Sequence, residues 1–208
     1  MTIKGVLENF SRRNSDVFFV QVGSFNGIDN DPLHEFIVRE KWAGLMVEPY
    51  ADAFSRLRET YRGCANLIFE NVALAETEGP KSFWYLKTRP DSPSWYGQLS
   101  SLRPDVIRDH ANLIPDFDSL LTSKEVYCTT LPALFHKHRI EKLDLLHLDT
   151  EGYDFELLQT LDFGAFRPAI LLFEHSHLTE AEKHNCAHLL RSAGYKLLEE
   201  GADSIAFL

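Results

Sequence analysis

Three groups of residues in this chain have the types and spacing to do chemistry. The first is Gly23-Ser24-Phe25-Asn26-Gly27, a glycine-bounded turn closing an apolar run that starts at Val17. The second is Glu48, which ends another apolar run, Ala43–Val47, and lies 21 residues after Gly27. The third is a set of acids and histidines behind two later apolar runs: Asp149 and Glu151 after Leu148, and Glu174, His175 and His177 after Phe173. Glycines let a backbone come close to a ligand where a helix begins. An acid at the end of the next strand can accept two hydrogen bonds from a ribose diol. Carboxylates and imidazoles nearby can take and return a proton. The three groups together describe a nucleoside cofactor facing proton-handling side chains.

The glycine spacing narrows the nucleoside. A dinucleotide site needs G-x-G-x-x-G so that a pyrophosphate can rest on the helix N-terminus. This chain has G-x-x-x-G, with Ser24, Phe25 and Asn26 between the glycines. The turn is bulkier, which suits a nucleoside ligand without a pyrophosphate, and S-adenosylmethionine is such a ligand. The competing readings are a nicotinamide-dependent oxidoreductase, disfavoured by the missing third glycine, and a non-catalytic module that only binds S-adenosylmethionine. The acid and histidine cluster favours an enzyme over the latter.

The elements that must position these groups read as alternating strands and helices. A short leading helix over 3–10 precedes the first strand. Asp31-Pro32 reads as a cap and first-turn proline for a helix to about Glu40. The strand ending at Glu48 is followed by a helix from Ala51 to Tyr61, and then Asn66–Leu74 reads as one strand. Ser82–Leu86 reads as an added strand. From residue 88 to about 123, four prolines (Pro90, Pro93, Pro104, Pro115), many serines and the pair Trp95-Tyr96 read as a long irregular lid or substrate-binding insertion. Thr130-Leu131-Pro132 starts a helix through His138. Strands ending at Asp149 and Glu174, a helix capped by Thr179, and a closing hairpin complete the pattern. This is an α/β, doubly wound, mostly parallel sheet with an antiparallel C-terminal hairpin, expected as one domain over 1–208.

Composition excludes several classes. The chain has 208 residues, 44% hydrophobic and 25% charged, with a net charge of -10. An acidic chain with scattered lysines and arginines argues against nucleic acid as a partner. The three cysteines, Cys64, Cys128 and Cys186, are widely spaced and read as reduced thiols. With no apolar run long enough to span a membrane, a cytoplasmic location is expected.

At Val22-Gly23 to Gly27, Glu48-Pro49, Asn71-Val72-Ala73-Leu74, Thr130-Leu131 and Asp149-Thr150-Glu151-Gly152-Tyr153-Asp154 the chain resembles the FkbM family of class I S-adenosylmethionine-dependent methyltransferases. The resemblance implies O-methylation of a hydroxyl on a sugar, glycan or natural product. It implies that Gly23 and its loop, with Ser24 and Asn26, hold the methionine part, Glu48 the ribose diol, and Asn71 and Val72 the adenine edge. The family's first motif usually reads D-V-G-A-N. Here Gln21 stands at the acid, so its amide oxygen must meet the ammonium group instead.

The catalytic candidates are Asp149, Glu174 and His175, with His177 as an alternative base. Asp149 and Glu151 could instead cap the helix that follows, a role Asp fills well. Asp149, expected beside the glycine turn, reads as functional, whereas Glu151 fits either role. A divalent metal clamped by Asp149 and Glu174 ranks behind a metal-free base.

Overall fold

The computed structural model describes residues 1–89 and 91–208. Pro90, one of the four prolines that break the pattern, lies outside the described residues. Helix α1 (Ile3–Arg13) leads into strand β1 (Phe18–Val22), and α2 (His34–Glu40) connects it to β2 (Ala43–Val47). Helix α3 (Ala51–Thr60) then precedes β3 (Leu67–Glu70). After the intervening second sheet come α6 (Leu131–His138), β8 (Leu145–Leu148), α7 (Asp154–Gln159), β9 (Ile170–Glu174), α8 (Glu180–Ser192) and the hairpin β10 (Lys196–Glu200) and β11 (Asp203–Phe207). Seven of these strands form one sheet in the order β10-β11-β9-β8-β1-β2-β3. The five strands β9-β8-β1-β2-β3 run parallel, and β11 enters antiparallel between β9 and β10. This is the α/β fold the sequence pattern predicts.

The apolar runs become strands because both faces of the sheet are covered. Val20, Val22, Leu146 and Leu148 pack on one face with Leu131, Leu134 and Leu157. Phe19, Met46 and Leu145 pack on the other with α1, α2 and Trp42. A strand buried on two sides is mostly apolar, so its sequence loses the alternation of a half-exposed strand. The order reverses beside β1, where the chain first goes out to β2 and β3 and later returns to β8. Open α/β sheets bind their ligands at that reversal, outside the carboxyl ends of the strands. Gly23, Glu48, Asp149 and Glu174 all lie at those ends.

A second sheet departs from the sequence reading. Residues Asn66–Leu74 are not one strand. Leu67–Glu70 pairs with β2, whereas β4 (Ala73–Leu74) leaves the main sheet and pairs with β7 (Leu121–Thr129). Strand β5 (Gly79–Leu86) runs antiparallel to β7 along its whole length, and β6 (Ser100–Ser101) adds at its edge. The region 88–123 is therefore only partly irregular. It holds α4 (Pro104–Arg108), α5 (Phe117–Leu120) and two 3-10 turns, and its last residues belong to β7. Its aromatic and aliphatic side chains Tyr96, Leu99, Ile107 and Phe117 form their own cluster against Leu86 of β5.

Candidate functional site

At the carboxyl ends of β1, β2, β8 and β9 lies a cavity of about 500 Å³, a volume within the range of small-molecule sites. Gly23 forms its floor. Its φ of 81° lies in the left-handed region, and a Cβ there would sit 1.7 Å from the Asp149 carbonyl oxygen. Only glycine lets β1 and β8 come this close. The turn continues with Gly23 N and Ser24 N both donating to Val47 O, at 2.9 and 3.0 Å. The end of α3 clamps the far side: Thr60 Oγ1 donates to Asn26 O and Tyr61 OH to Gly27 O.

Glu48 lies at the cavity wall and is almost fully buried. Its two oxygens are held apart by backbone donors: Phe25 N reaches Oε2 at 2.8 Å and Tyr50 N reaches Oε1 at 2.7 Å. Burial raises its pKa to about 7, against the lowering effect of those two amides. Each oxygen keeps a lone pair for a further donor such as a ribose hydroxyl. Asn71 donates from Nδ2 to Glu48 O at 2.7 Å, so it positions the acid, and Val72 packs against the core. Neither lines the cavity. Ala73, Leu74, Pro49 and Phe83 do so instead.

Gln21, Ser24, Glu48, Asp149 and Glu174 line the cavity together with Gly23. Asn26 does not; its side chain ties down the turn, bonding Asp29 and the backbone of Ile28. His175 does not line it either. Its Nδ1 shares a hydrogen bond of 3.0 Å with Ser204 Oγ. The neighbouring His177 is the imidazole that reaches the acids, with Nε2 at 3.1 Å from Glu151 and 3.5 Å from Glu174. Burial alone would lower its pKa, but the Glu151 and Glu174 contacts outweigh that and raise it.

Sequence reasoning missed two residues. Asp31 does not cap α2, whose N-cap is Leu33 with no side-chain bond. Asp31 Oδ1 accepts from Leu33 N, while Oδ2 is buried without a partner. His147 sits inside an apolar strand run and was read only as part of it. Its Nδ1 is also buried and unpartnered, and burial lowers its pKa to about 3, so it is a neutral imidazole. Gln21 Oε1 is a third such atom. All three residues line the same cavity. Buried polar atoms are normally bonded, and these three belong to residues gathered around one cavity.

The acids on the opposite wall are free for chemistry. Helix α7 is N-capped by Tyr153 without a side-chain bond, so neither Asp149 nor Glu151 serves as its cap. Burial, then the Glu151, Glu174 and Asp154 charges, pushes the Asp149 carboxyl well above the usual carboxylate range. Asp154, fully buried, braces the wall. Its Oδ2 accepts from Thr150 Oγ1 and its Oδ1 from Glu174 N, joining the ends of β8 and β9. The second sheet supports the same loop: Ser101 Oγ donates to Glu151 O at 2.7 Å and Arg103 Nη1 to Gly152 O at 3.1 Å. Gly152, with φ 90°, leaves room for Val106 and His177, which a Cβ there would meet at 2.8 and 3.2 Å.

A family model described as the methyltransferase FkbM domain matches residues 21–197, most of the chain. The chain belongs to the FkbM methyltransferase family. Its fold is shared with a methyltransferase FkbM from Methylobacillus flagellatus KT, at 11% identity and a TM-score of 0.58. The match covers 93% of this chain and 44% of that one, so this chain spans less than half of its length. A precorrin-6y C5,15-methyltransferase from Geobacter metallireducens GS-15 matches at 9% identity and a TM-score of 0.47, over 99% of this chain and 88% of that one. No curated protein matches the chain in sequence. The parallel sheet with its antiparallel β11 is the class I methyltransferase architecture. No helix among the described residues is long and apolar enough to cross a membrane.

Proposed function

We propose that the protein is an S-adenosylmethionine-dependent O-methyltransferase acting on a hydroxyl of a neutral sugar, glycan or natural product. The observation that carries this reading is the acidity of the cavity. Seven acidic side chains line it, among them Asp31, Glu48, Asp149 and Glu174, and no described lysine or arginine does. Burial favours the protonated forms of Glu48, Asp149 and Glu174 until a cation is bound beside them. Such a wall attracts a sulfonium and an ammonium and repels a pyrophosphate or a phosphate polymer. Nicotinamide cofactors and nucleic acids are disfavoured for that reason.

The residues present fit the cofactor. Glu48 offers its free lone pairs to the ribose hydroxyls, and the apolar strip of Pro49, Leu74 and Phe83 accepts an adenine ring. Asp31 supplies, beside Gln21, the carboxylate that the family's first motif usually places at position 21. The orphaned Gln21 Oε1 and Asp31 Oδ2 are both acceptors, which an ammonium group can satisfy. Bound there, S-adenosylmethionine supplies a methyl group on a positively charged sulfur. The protein's own work is then to align an acceptor oxygen with that carbon and to receive its proton. Asp149, at the end of β8 and across from the glycine turn, orients the hydroxyl by accepting its hydrogen bond, and the carboxylate wall receives the proton. Insertion 88–123 contributes Gln98, Ser100 and Leu102 to the cavity lining and so bounds the space left for the acceptor.

The test is transfer of radiolabelled methyl from S-adenosylmethionine to a panel of neutral sugars, glycosylated natural products, phenols, RNA and protein. Label is expected on neutral hydroxyl acceptors. Label confined to nitrogens of RNA or protein would overturn the proposal.

A further inference from the structure

We propose that Glu151, Glu174 and His177 form a site for a divalent cation, an ion such as Mn2+ that accepts carboxylate oxygens and one imidazole nitrogen together. One ligand atom from each of the three lies within 4.8 Å of the other two. His177 Nε2 is 3.1 Å from Glu151 Oε2 and 3.5 Å from Glu174 Oε1. Neighbouring ligands around an octahedral ion with bonds of about 2.1 Å are roughly 3 Å apart, so small side-chain adjustments bring the set to coordination distance. Two carboxylates and an imidazole suit a divalent first-row ion better than Mg2+, which prefers oxygen alone.

A separate observation points to a missing partner. Glu174 Oε2 is buried without a hydrogen bond, although Ser176 Oγ donates to Oε1 at 2.6 Å. A buried carboxylate oxygen with no donor is costly unless a cation completes it. Among the described residues no lysine or arginine pairs with Glu151 or Glu174, and His177 is the only basic side chain that does. The ligands are also braced from behind, as metal ligands usually are. Asp154 holds the backbone of Glu174, Ser101 holds that of Glu151, and the His110 ring packs 5.9 Å from that of His177.

Glu151 and Glu174 line the cavity, so positions left open on the ion face the acceptor. Three protein ligands with open positions are the arrangement of a catalytic rather than a structural ion. Given the methyl-transfer reading, on which this role rests, an acceptor hydroxyl bound to the ion becomes more acidic. Its O–H bond breaks, the proton passes to a wall carboxylate outside the ligand set such as Asp149, and the oxygen keeps the electron pair. The sequence reading ranks a metal behind a free base and takes Asp149 and Glu174 as its clamp. The structure brings Glu151 and His177 to Glu174 instead.

The experiment is titration of Mn2+ into the full chain after dialysis against EDTA, with free Mn2+ read by electron paramagnetic resonance. One saturable site per chain is expected. Glu174→Gln and His177→Asn should each weaken it about ten-fold or more, and Glu125→Gln, on the exposed face of β7, should leave it unchanged. Each sample is also titrated with S-adenosylhomocysteine, which reports folding of the variants. Absence of saturable uptake at millimolar Mn2+, or uptake equal in wild type and both folded ligand variants, overturns the site. Mn2+ uptake without S-adenosylhomocysteine binding keeps the cation site and removes the methyl-transfer reading. The reverse pattern removes the site alone.

Discussion

Gly23→Ala is expected to destabilise the protein by about 3–5 kcal/mol and to abolish cofactor binding. The added Cβ would lie 1.7 Å from the Asp149 carbonyl oxygen and 2.8 Å from its carbonyl carbon. Both are backbone atoms, so no rotamer change relieves the contact. To make room, β1 must move away from β8 at the point where Asp149 N donates to Val22 O and Gly23 N to Val47 O. The left-handed φ of 81° adds conformational strain. Gly63→Ala separates the two effects, because Gly63 also has a positive φ, 89°, but open space where a Cβ would point. It should cost only about 1–2 kcal/mol. Thermal melting reads the difference, with Gly23→Ala lowered by roughly 10 °C or more. Equal shifts for the two variants would show that the close approach of β1 and β8 does not matter.

Asp149→Asn is expected to slow methyl transfer about hundred-fold or more, while S-adenosylhomocysteine binds with nearly the wild-type affinity. The amide keeps the size of the carboxyl group but replaces one of its oxygens with an NH2 that cannot accept a hydrogen bond or a proton. The Asp149 backbone N–H holds the strand, and no described group hydrogen-bonds its side chain, so the fold has little reason to respond. Single-turnover transfer to an acceptor from the panel, alongside calorimetry of the cofactor product, separates the two quantities. Unchanged transfer would make Asp149 a spectator.

Much of this was legible in the sequence because burial on two faces writes itself into composition. Ala43–Val47 is free of polar side chains and Phe18–Val22 carries only Gln21, and they are strands β2 and β1. Thr179 followed by Glu182 marks the start of α8, and both bonds of the capping box form. The second sheet was harder to see. Strand β7 carries Thr122, Ser123, Lys124 and Glu125, polar residues on a half-exposed ribbon, and α4 and α5 have only five and four residues, too short to show a helical period. The break between Glu70 and Ala73 depends on Asn71 turning to bond Glu48 O, a tertiary contact that no local pattern records.

In the site, residues at strand ends were readable, since topology alone places them. Residues in turns were not. His175 and His177 are two positions apart, and the turn after β9 sends one to Ser204 and the other to Glu151 and Glu174. Asp31 resembles a helix cap because it precedes a proline, yet α2 begins only at His34. His147 passes for a core residue because its neighbours on β8 are leucines.

The central claim is that this acidic cavity holds S-adenosylmethionine with Glu48 on its ribose. Calorimetric titration of S-adenosylhomocysteine and of NAD into wild type, Glu48→Gln and Glu48→Ala tests it most directly. The account predicts binding of S-adenosylhomocysteine to wild type, about ten- to a hundred-fold weaker binding to both variants, and no binding of NAD. Tight binding of NAD with none of S-adenosylhomocysteine would contradict it.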